Sequence, residues 1–287
     1  MRGLLATLAV LLAGCSGSPQ VPTSGPTARP IEYAALGDSY TAAPYVVATD
    51  LAGGCLRSQA NYPKLLAKTL GAELTDVSCG GASTANVMHR QRPFGDSVVP
   101  PQIEAVSART RLVTIGLGGN DSNLFASLVK GCPMTDREGE QMLSSGECGH
   151  VDLAKATRLL QGTRRHLVDV ITTVERKAPD ARIVVVGYSR LMGERACGEL
   201  PISRANQANA RRVAVLLRDA QLAAARATGA DFIDMHRLSA GHDACAKTPW
   251  VRGVHTDQRQ GAAMHPTPAG QIAVAEAIAD RLRDVGF

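Results

Sequence analysis

The 287-residue chain is short of several things, and each shortage narrows what it can do. Aromatic residues make up 3% of it, with a single Trp, so it holds no supply of flat rings for stacking on bases or sugars. Lys and Arg number 31 against 26 Asp and Glu, a net charge of only +5 with no dense basic block, which argues against nucleic acid as a partner. No apolar run approaches the ~20 residues needed to cross a bilayer. No Cys-x-x-Cys or His-x-x-x-His spacing occurs, so neither a metal nor another cofactor is expected. Gly-x-Ser-x-Gly is also missing, which excludes the strand-to-helix nucleophile elbow. With 45% hydrophobic and 20% charged residues, the bulk of the chain nonetheless has the composition of a folded protein.

What is present begins at the N-terminus. Met1-Arg2 precedes an apolar run from Leu4 to Ala13, then Leu12-Ala13-Gly14-Cys15. The run is too short to span a membrane and fits a signal-peptide core. Its end resembles the lipobox of bacterial lipoproteins, which implies cleavage before Cys15 and a lipid on the Cys15 sulfur. An ordinary secretory signal with a chance cysteine is the other reading. Residues 1–14 are thus expected to be a signal peptide. Residues 15–30, rich in Ser, Pro, Thr and Gly, are expected to be a flexible tether. The protein is expected to be exported, and either lipid-anchored on the outer side of the cell membrane or secreted. The remaining 31–287 suits one domain, with a monomer as the expected state and the lipid anchor its only membrane contact. The seven cysteines then divide into Cys15 and six others: Cys55, Cys79, Cys132, Cys148, Cys197 and Cys245. An even set in an exported chain reads as disulfides, with fifteen pairings open.

Five short, β-branched, nearly continuous apolar runs read as strands of a parallel sheet buried on both faces: Ile31–Leu36, Leu74–Cys79, Arg111–Leu117, Ala181–Val186 and Ala230–Met235. Helical stripes separate the later ones. Leu153, Ala156, Leu160, Leu167, Val170 and Val174 share one face, closed by Pro179. Val213, Leu217, Ala220, Ala224 and Ala227 share another, stopped by Gly229. The last helix has Thr267 as N-cap and Pro268 at its first position. Strand–helix alternation of this kind predicts an α/β fold: a three-layer α/β/α sandwich with a parallel five-stranded sheet. Ligands of such folds sit beyond the carboxyl ends of the strands.

Four motifs fall at those ends. In Gly37-Asp38-Ser39-Tyr40 a serine follows a buried strand, where its hydroxyl leaves the sheet edge; a plain helix cap would look the same. Cys79-Gly80-Gly81 lets a backbone N–H approach a substrate, though a tight turn would use the same residues. Gly118-Gly119-Asn120-Asp121 supplies a side-chain amide that can donate to an oxyanion or cap a helix. His265-Pro266-Thr267-Pro268 holds an imidazole just before the final helix. Gly95-Asp96-Ser97 repeats the letters of the first motif, but no buried strand precedes it, and it reads as loop.

In this order and spacing the four motifs resemble the blocks of the SGNH, or GDSL, hydrolase family over roughly Tyr33–Leu282. The six cysteines and Pro249-Trp250-Val251 are similar to its secreted actinobacterial esterase and lipase branch. The resemblance implies the flavodoxin-like sandwich and a carboxylic ester hydrolase of the serine esterase or lipase type, acting on a small-molecule or lipid ester through an acyl-enzyme. It implies Ser39 as nucleophile and His265 as base, with Ser39, Gly81 and Asn120 as the oxyanion hole. The disulfides it implies join neighbours in sequence: Cys55–Cys79, Cys132–Cys148 and Cys197–Cys245. One departure matters. Many members carry Asp three residues before the histidine, and here that residue is Ala262. The branch implies the Ala262 main-chain carbonyl as the group orienting His265; Asp257 is the alternative. A polysaccharide O-acetyl esterase, or a non-catalytic envelope lipoprotein on the same scaffold, are the competing readings.

Overall fold

A computed structural model describes residues 30–51, 53–142 and 148–287. The expected signal peptide, Cys15 and nearly all of the tether lie outside the described residues. Five parallel strands form the sheet: β1 Glu32–Gly37, β2 Glu73–Asp76, β3 Leu112–Gly116, β4 Arg182–Val186 and β5 Asp231–Ile233. Their spatial order is β2-β1-β3-β4-β5, so the winding reverses between β1 and β3. At such a reversal the connections leave in opposite directions and open a crevice at the carboxyl ends.

Alternation along each strand assigns the two faces. Ala34, Leu36, Val113, Ile115 and Val185 pack with Leu167, Val170, Ile171 and Val174 of α2 (Leu153–Lys177) and with Ala224 and Ala225 of α3 (Arg204–Thr228). Tyr33, Ala35, Val184, Val186 and Ile233 pack with Leu66 of α1 (Tyr62–Leu70) and with Val274, Ile278 and Leu282 of α4 (Pro268–Asp284). Both faces are therefore covered, which is why the central strands carry no polar alternation. The expected three layers are present.

Differences from the sequence reading are local. β2 ends at Asp76, not Cys79, because the Asp76 carboxylate turns back to accept from the Ser78 N–H and hydroxyl. It is also an edge strand whose alternate residues face solvent, so the apolar run there is shorter than in the central strands. α3 starts nine residues before its apolar stripe, at a Ser203 cap, since its first turns pack against loops and tolerate polar side chains. α1 is a helix that the apolar stripes did not mark; it is nine residues long, capped by Asn61 with Pro63 in its first turn.

The strand ends are pressed together by glycine. A Cβ on Gly37 would lie 2.1 Å from Thr41 Oγ1, and one on Gly116, its register partner, 2.4 Å from the same atom. Any side chain at either position would push the turn carrying Ser39 away from β3.

Candidate active site

Ser39 begins a single helical turn, Ser39–Ala42, directly after β1. Asp38 caps that turn: its carboxylate accepts from the Tyr40 N–H at 2.9 Å. The turn is clamped from below by Gln102, whose side chain bonds both the N–H and the carbonyl of Gly37 at 2.9 Å. Its far side is held by Gln271 of α4, which donates to the Tyr40 carbonyl at 3.0 Å. The nucleophile turn is thus fixed by its own cap and by side chains from two distant segments.

Ser39 Oγ lies 2.8 Å from His265 Nε2, across 226 residues of sequence. The imidazole sits against the rings of Tyr40 and Phe125, at centroid distances of 5.5 and 6.2 Å. Its loop is anchored on both sides: Tyr40 Oη donates to the Met264 carbonyl at 2.8 Å, and the Arg252 N–H donates to the His265 carbonyl at 2.8 Å. Trp250 and Val251 continue that support, pairing with Thr267 and Pro266.

The group orienting His265 differs from expectation. Nδ1 lies 2.7 Å from the carbonyl of Ala263, not of Ala262. The Ala262 carbonyl is already engaged, accepting the His265 backbone N–H at 3.1 Å within the same turn. Met264 has φ of 63°, in the left-handed region, and this reversal folds the imidazole back over the carbonyl two residues before it. Asp257 is not the partner either: Nδ1 is taken by the Ala263 carbonyl, while Asp257 Oδ1 accepts from the Arg259 and Gln260 N–H groups of its own turn. Donation to a carbonyl leaves Nδ1 protonated and Nε2 free to accept the serine proton. Burial lowers the His265 pKa below its ordinary value, and the Ala263 carbonyl offsets this in part.

Two backbone N–H groups at the site, those of Ser39 and Gly81, donate to no acceptor among the described residues. Gly81 follows Gly80, whose N–H is held by the Cys55 carbonyl at 2.9 Å, and its φ of +74° turns the chain sharply there. The third expected donor, Asn120, follows β3. One hydrogen of its amide goes to the Ala82 carbonyl at 3.0 Å, and the other points toward Asp38 Oδ2 at a long 3.4 Å. The second contact is weak enough to be surrendered to an oxyanion.

Asp38 is 1% exposed, and burial raises its carboxyl to about 7, opposed by hydrogen bonds from Tyr188 and the Tyr40 backbone. Tyr188 was not singled out in the sequence; its only signal is its position after β4 and Gly187. Gly95-Asp96-Ser97 is a surface bend, as expected of the repeated letters.

A pocket open to solvent runs from Ser39 and Asn120 between the Leu124–Val129 helix and α3. Its walls are mostly apolar, among them Leu124, Phe125, Leu128, Val213, Leu217 and Met264. The disulfides are Cys55–Cys79, Cys132–Cys148 and Cys197–Cys245. The first braces the Gly80-Gly81 turn, and both cysteines of the second line the pocket wall.

His265 gives a signed pH prediction. Its neutral form is the base, and a lowered pKa keeps that form available below pH 6.5. In an Asp38→Asn variant, which removes the second nearby ionisation, kcat/KM should fall on acidification with a midpoint below 6.5. A midpoint at or above that value would show that burial does not govern this imidazole.

Comparison with known proteins gives a consistent set. Residues 35–273 match the model of the GDSL-like Lipase/Acylhydrolase family. Lipase 2 of Streptomyces coelicolor is 32% identical over 308 aligned positions, covering 98% of this chain and 96% of that protein. The crystal structure of an extracellular lipase from Streptomyces rimosus superposes with a TM-score of 0.70 at 27% identity, over 87% of this chain and 99% of that one. A phospholipase A1 from Streptomyces albidoflavus gives a TM-score of 0.67 at 25% identity, over 88% and 99%.

Proposed function

The chain belongs to the GDSL-like Lipase/Acylhydrolase family and is a serine ester hydrolase; from that premise we propose that Ser39 and His265 carry the reaction, and that the substrates are acyl esters of lipid character. Ser39 Oγ attacks the ester carbonyl while His265 Nε2 takes its proton. The oxyanion so formed accepts from the Ser39 and Gly81 N–H groups and from the Asn120 amide. His265 then protonates the departing alcohol, leaving Ser39 acylated, and activates a water that attacks the acyl carbon and releases the acid. The Ala263 carbonyl holds the imidazole in the right tautomer throughout. A neutral carbonyl stabilises the imidazolium less than a carboxylate would, so more of the catalytic effect falls on the oxyanion donors.

The observation that carries the lipid reading is the apolar pocket beside Ser39. A longer acyl chain would lie against these apolar walls, and each added CH2 buried there is worth about 0.8 kcal/mol, roughly fourfold in kcat/KM. A glycan would find few polar partners along those walls.

Export and attachment through Cys15 complete the proposal. They rest on the Leu12-Ala13-Gly14-Cys15 sequence and on an exported relative, the extracellular lipase of Streptomyces rimosus. One experiment reads both parts. Fractions of cells expressing the chain are assayed with nitrophenyl esters from acetyl to palmitoyl and with an acetylated glycan. Activity is expected in the membrane fraction, rising with acyl length, and Cys15→Ser should release it. Preference for acetate with turnover of the glycan would replace the lipid reading by a polysaccharide O-acetyl esterase. Activity that stays soluble in the parent chain would remove the anchor.

A further inference from the structure

We propose that Tyr188 is a positioning residue for the hydrolysis: its single hydroxyl fixes the loop bearing Asn120 against the turn bearing Ser39. The inference rests on the assignment of Ser39 and Asn120 as reacting groups.

β1 and β3 run side by side as far as the Gly37–Gly116 pair, and one further backbone bond, Asp38 N–H to the Gly116 carbonyl at 3.0 Å, ties their ends. Beyond it the two chains diverge, one into Asp38-Ser39 and the other into Gly118-Gly119-Asn120. The direct link across that gap is the long 3.4 Å approach of Asn120 Nδ2 to Asp38 Oδ2. Tyr188 supplies a stronger one. It enters from the end of β4, on the other side of β3, and donates its hydroxyl hydrogen to Asp38 Oδ2 at 2.5 Å. The Tyr188 hydroxyl oxygen in turn accepts the Gly119 N–H at 2.9 Å. One atom therefore bonds the cap of the nucleophile turn and the residue immediately before Asn120.

The surroundings are shaped for this contact. A Cβ on Gly119 would sit 3.1 Å from the Tyr188 Oη and Cζ, so glycine is what lets the phenol reach the backbone. The Tyr188 ring lies edge-on to Tyr40 at 5.0 Å, and Tyr40 in turn holds the carbonyl of Met264 beside His265. Tyr188 thus also braces the ring on which the base rests.

The charge balance is local. Asp38 is faced by Tyr188, by Tyr40 of its own turn, by Tyr62 of α1 and by Asp121 after β3, with His166 of α2 on the far side of Asp121 at 3.7 Å. Among the described residues, the groups that act most strongly on Asp38 include no cation. Loss of the Tyr188 donor would leave Asp38 free to take a proton in place of the bond, so Tyr188→Phe is expected to fold.

The test is a double-mutant cycle on the full chain, read in kcat and KM separately with a soluble short-chain nitrophenyl ester. Tyr188→Phe should lower kcat about 10- to 100-fold, the range of a lost hydrogen bond to a charged group, with KM within about threefold. In an Asn120→Ala background the same change should cost less than about threefold, because the group it positions is gone. Gly119→Ala, whose methyl would press on the same phenol, leaves Tyr188 in place and should behave alike: a kcat loss that nearly vanishes once Asn120 is Ala. Full, additive losses in both backgrounds would overturn the inference, as would a rise in KM with kcat unchanged, which would make Tyr188 only a pocket wall. An Asn120→Ala enzyme as active as its parent would overturn the oxyanion assignment and this inference with it.

Discussion

Replacing Ser39 by Ala is expected to reduce ester hydrolysis by about 10^5- to 10^6-fold, the scale seen when a serine nucleophile is removed from a hydrolase. The fold should survive unchanged. Among the described residues the Ser39 hydroxyl has one partner, His265 Nε2, whereas the turn it stands on is held by Asp38, Gln102 and Gln271. A serine-directed organophosphonate gives a second reading of the same variant. The parent should gain one covalent adduct, mapped by mass spectrometry to the peptide carrying Ser39, and Ser39→Ala should gain none. An adduct elsewhere, or hydrolysis persisting within tenfold of the parent, would mean that the nucleophile is another residue. Ser97 is the instructive control. It repeats the Gly-Asp-Ser letters, yet its loop follows no buried strand.

Asn120→Ala carries the second large effect. Deleting one oxyanion donor typically costs about 10²–10³ in kcat, and the loss should appear in kcat with little change in KM, because the donor acts on charge present only in the transition state. With a carbonyl orienting His265, the imidazolium is less stabilised, and the three oxyanion donors carry a larger share. Truncation should leave the melting temperature close to that of the parent, since Asn120 is only partly buried. Steady-state kinetics on a single nitrophenyl ester distinguishes the cases: a KM effect alone would make Asn120 a binding group, and no effect would leave the Ser39 and Gly81 N–H groups as the whole oxyanion hole.

The electrostatics of the site follow from burial more than from charge pairing. Asp38 is pushed up to about 7 and His265 is pushed down, both chiefly by desolvation. Both shifts favour the neutral form of a buried group. For His265 that is the form the chemistry needs. For Asp38 the opposing pull comes from Tyr188, which is why a residue outside all four motifs bears on the nucleophile turn.

The order of letters alone carries the sheet, three of the four helices that cover it and the residue types at the strand ends. Central strands buried on both faces must be apolar throughout, and helices covering them must keep one apolar stripe; both patterns are local and survive in the order of letters. The four motifs were legible because strand ends in a doubly wound fold are also the ends that meet a ligand. Six cysteines were legible as disulfide-forming, but their pairing came from resemblance, because spacing does not encode contact. Only the tertiary structure decided which carbonyl faces His265. That choice depends on Met264 standing at φ of 63°, and a backbone reversal at a non-glycine residue leaves no mark in the letters. Only the tertiary structure brought Tyr188 to Asp38, 150 positions away, and opened an apolar pocket between the Leu124–Val129 helix and α3. Strand and helix are set by periodicities a few residues long. The bonds that tune a reacting group cross the gaps between strand ends, and their partners are chosen by how the layers pack.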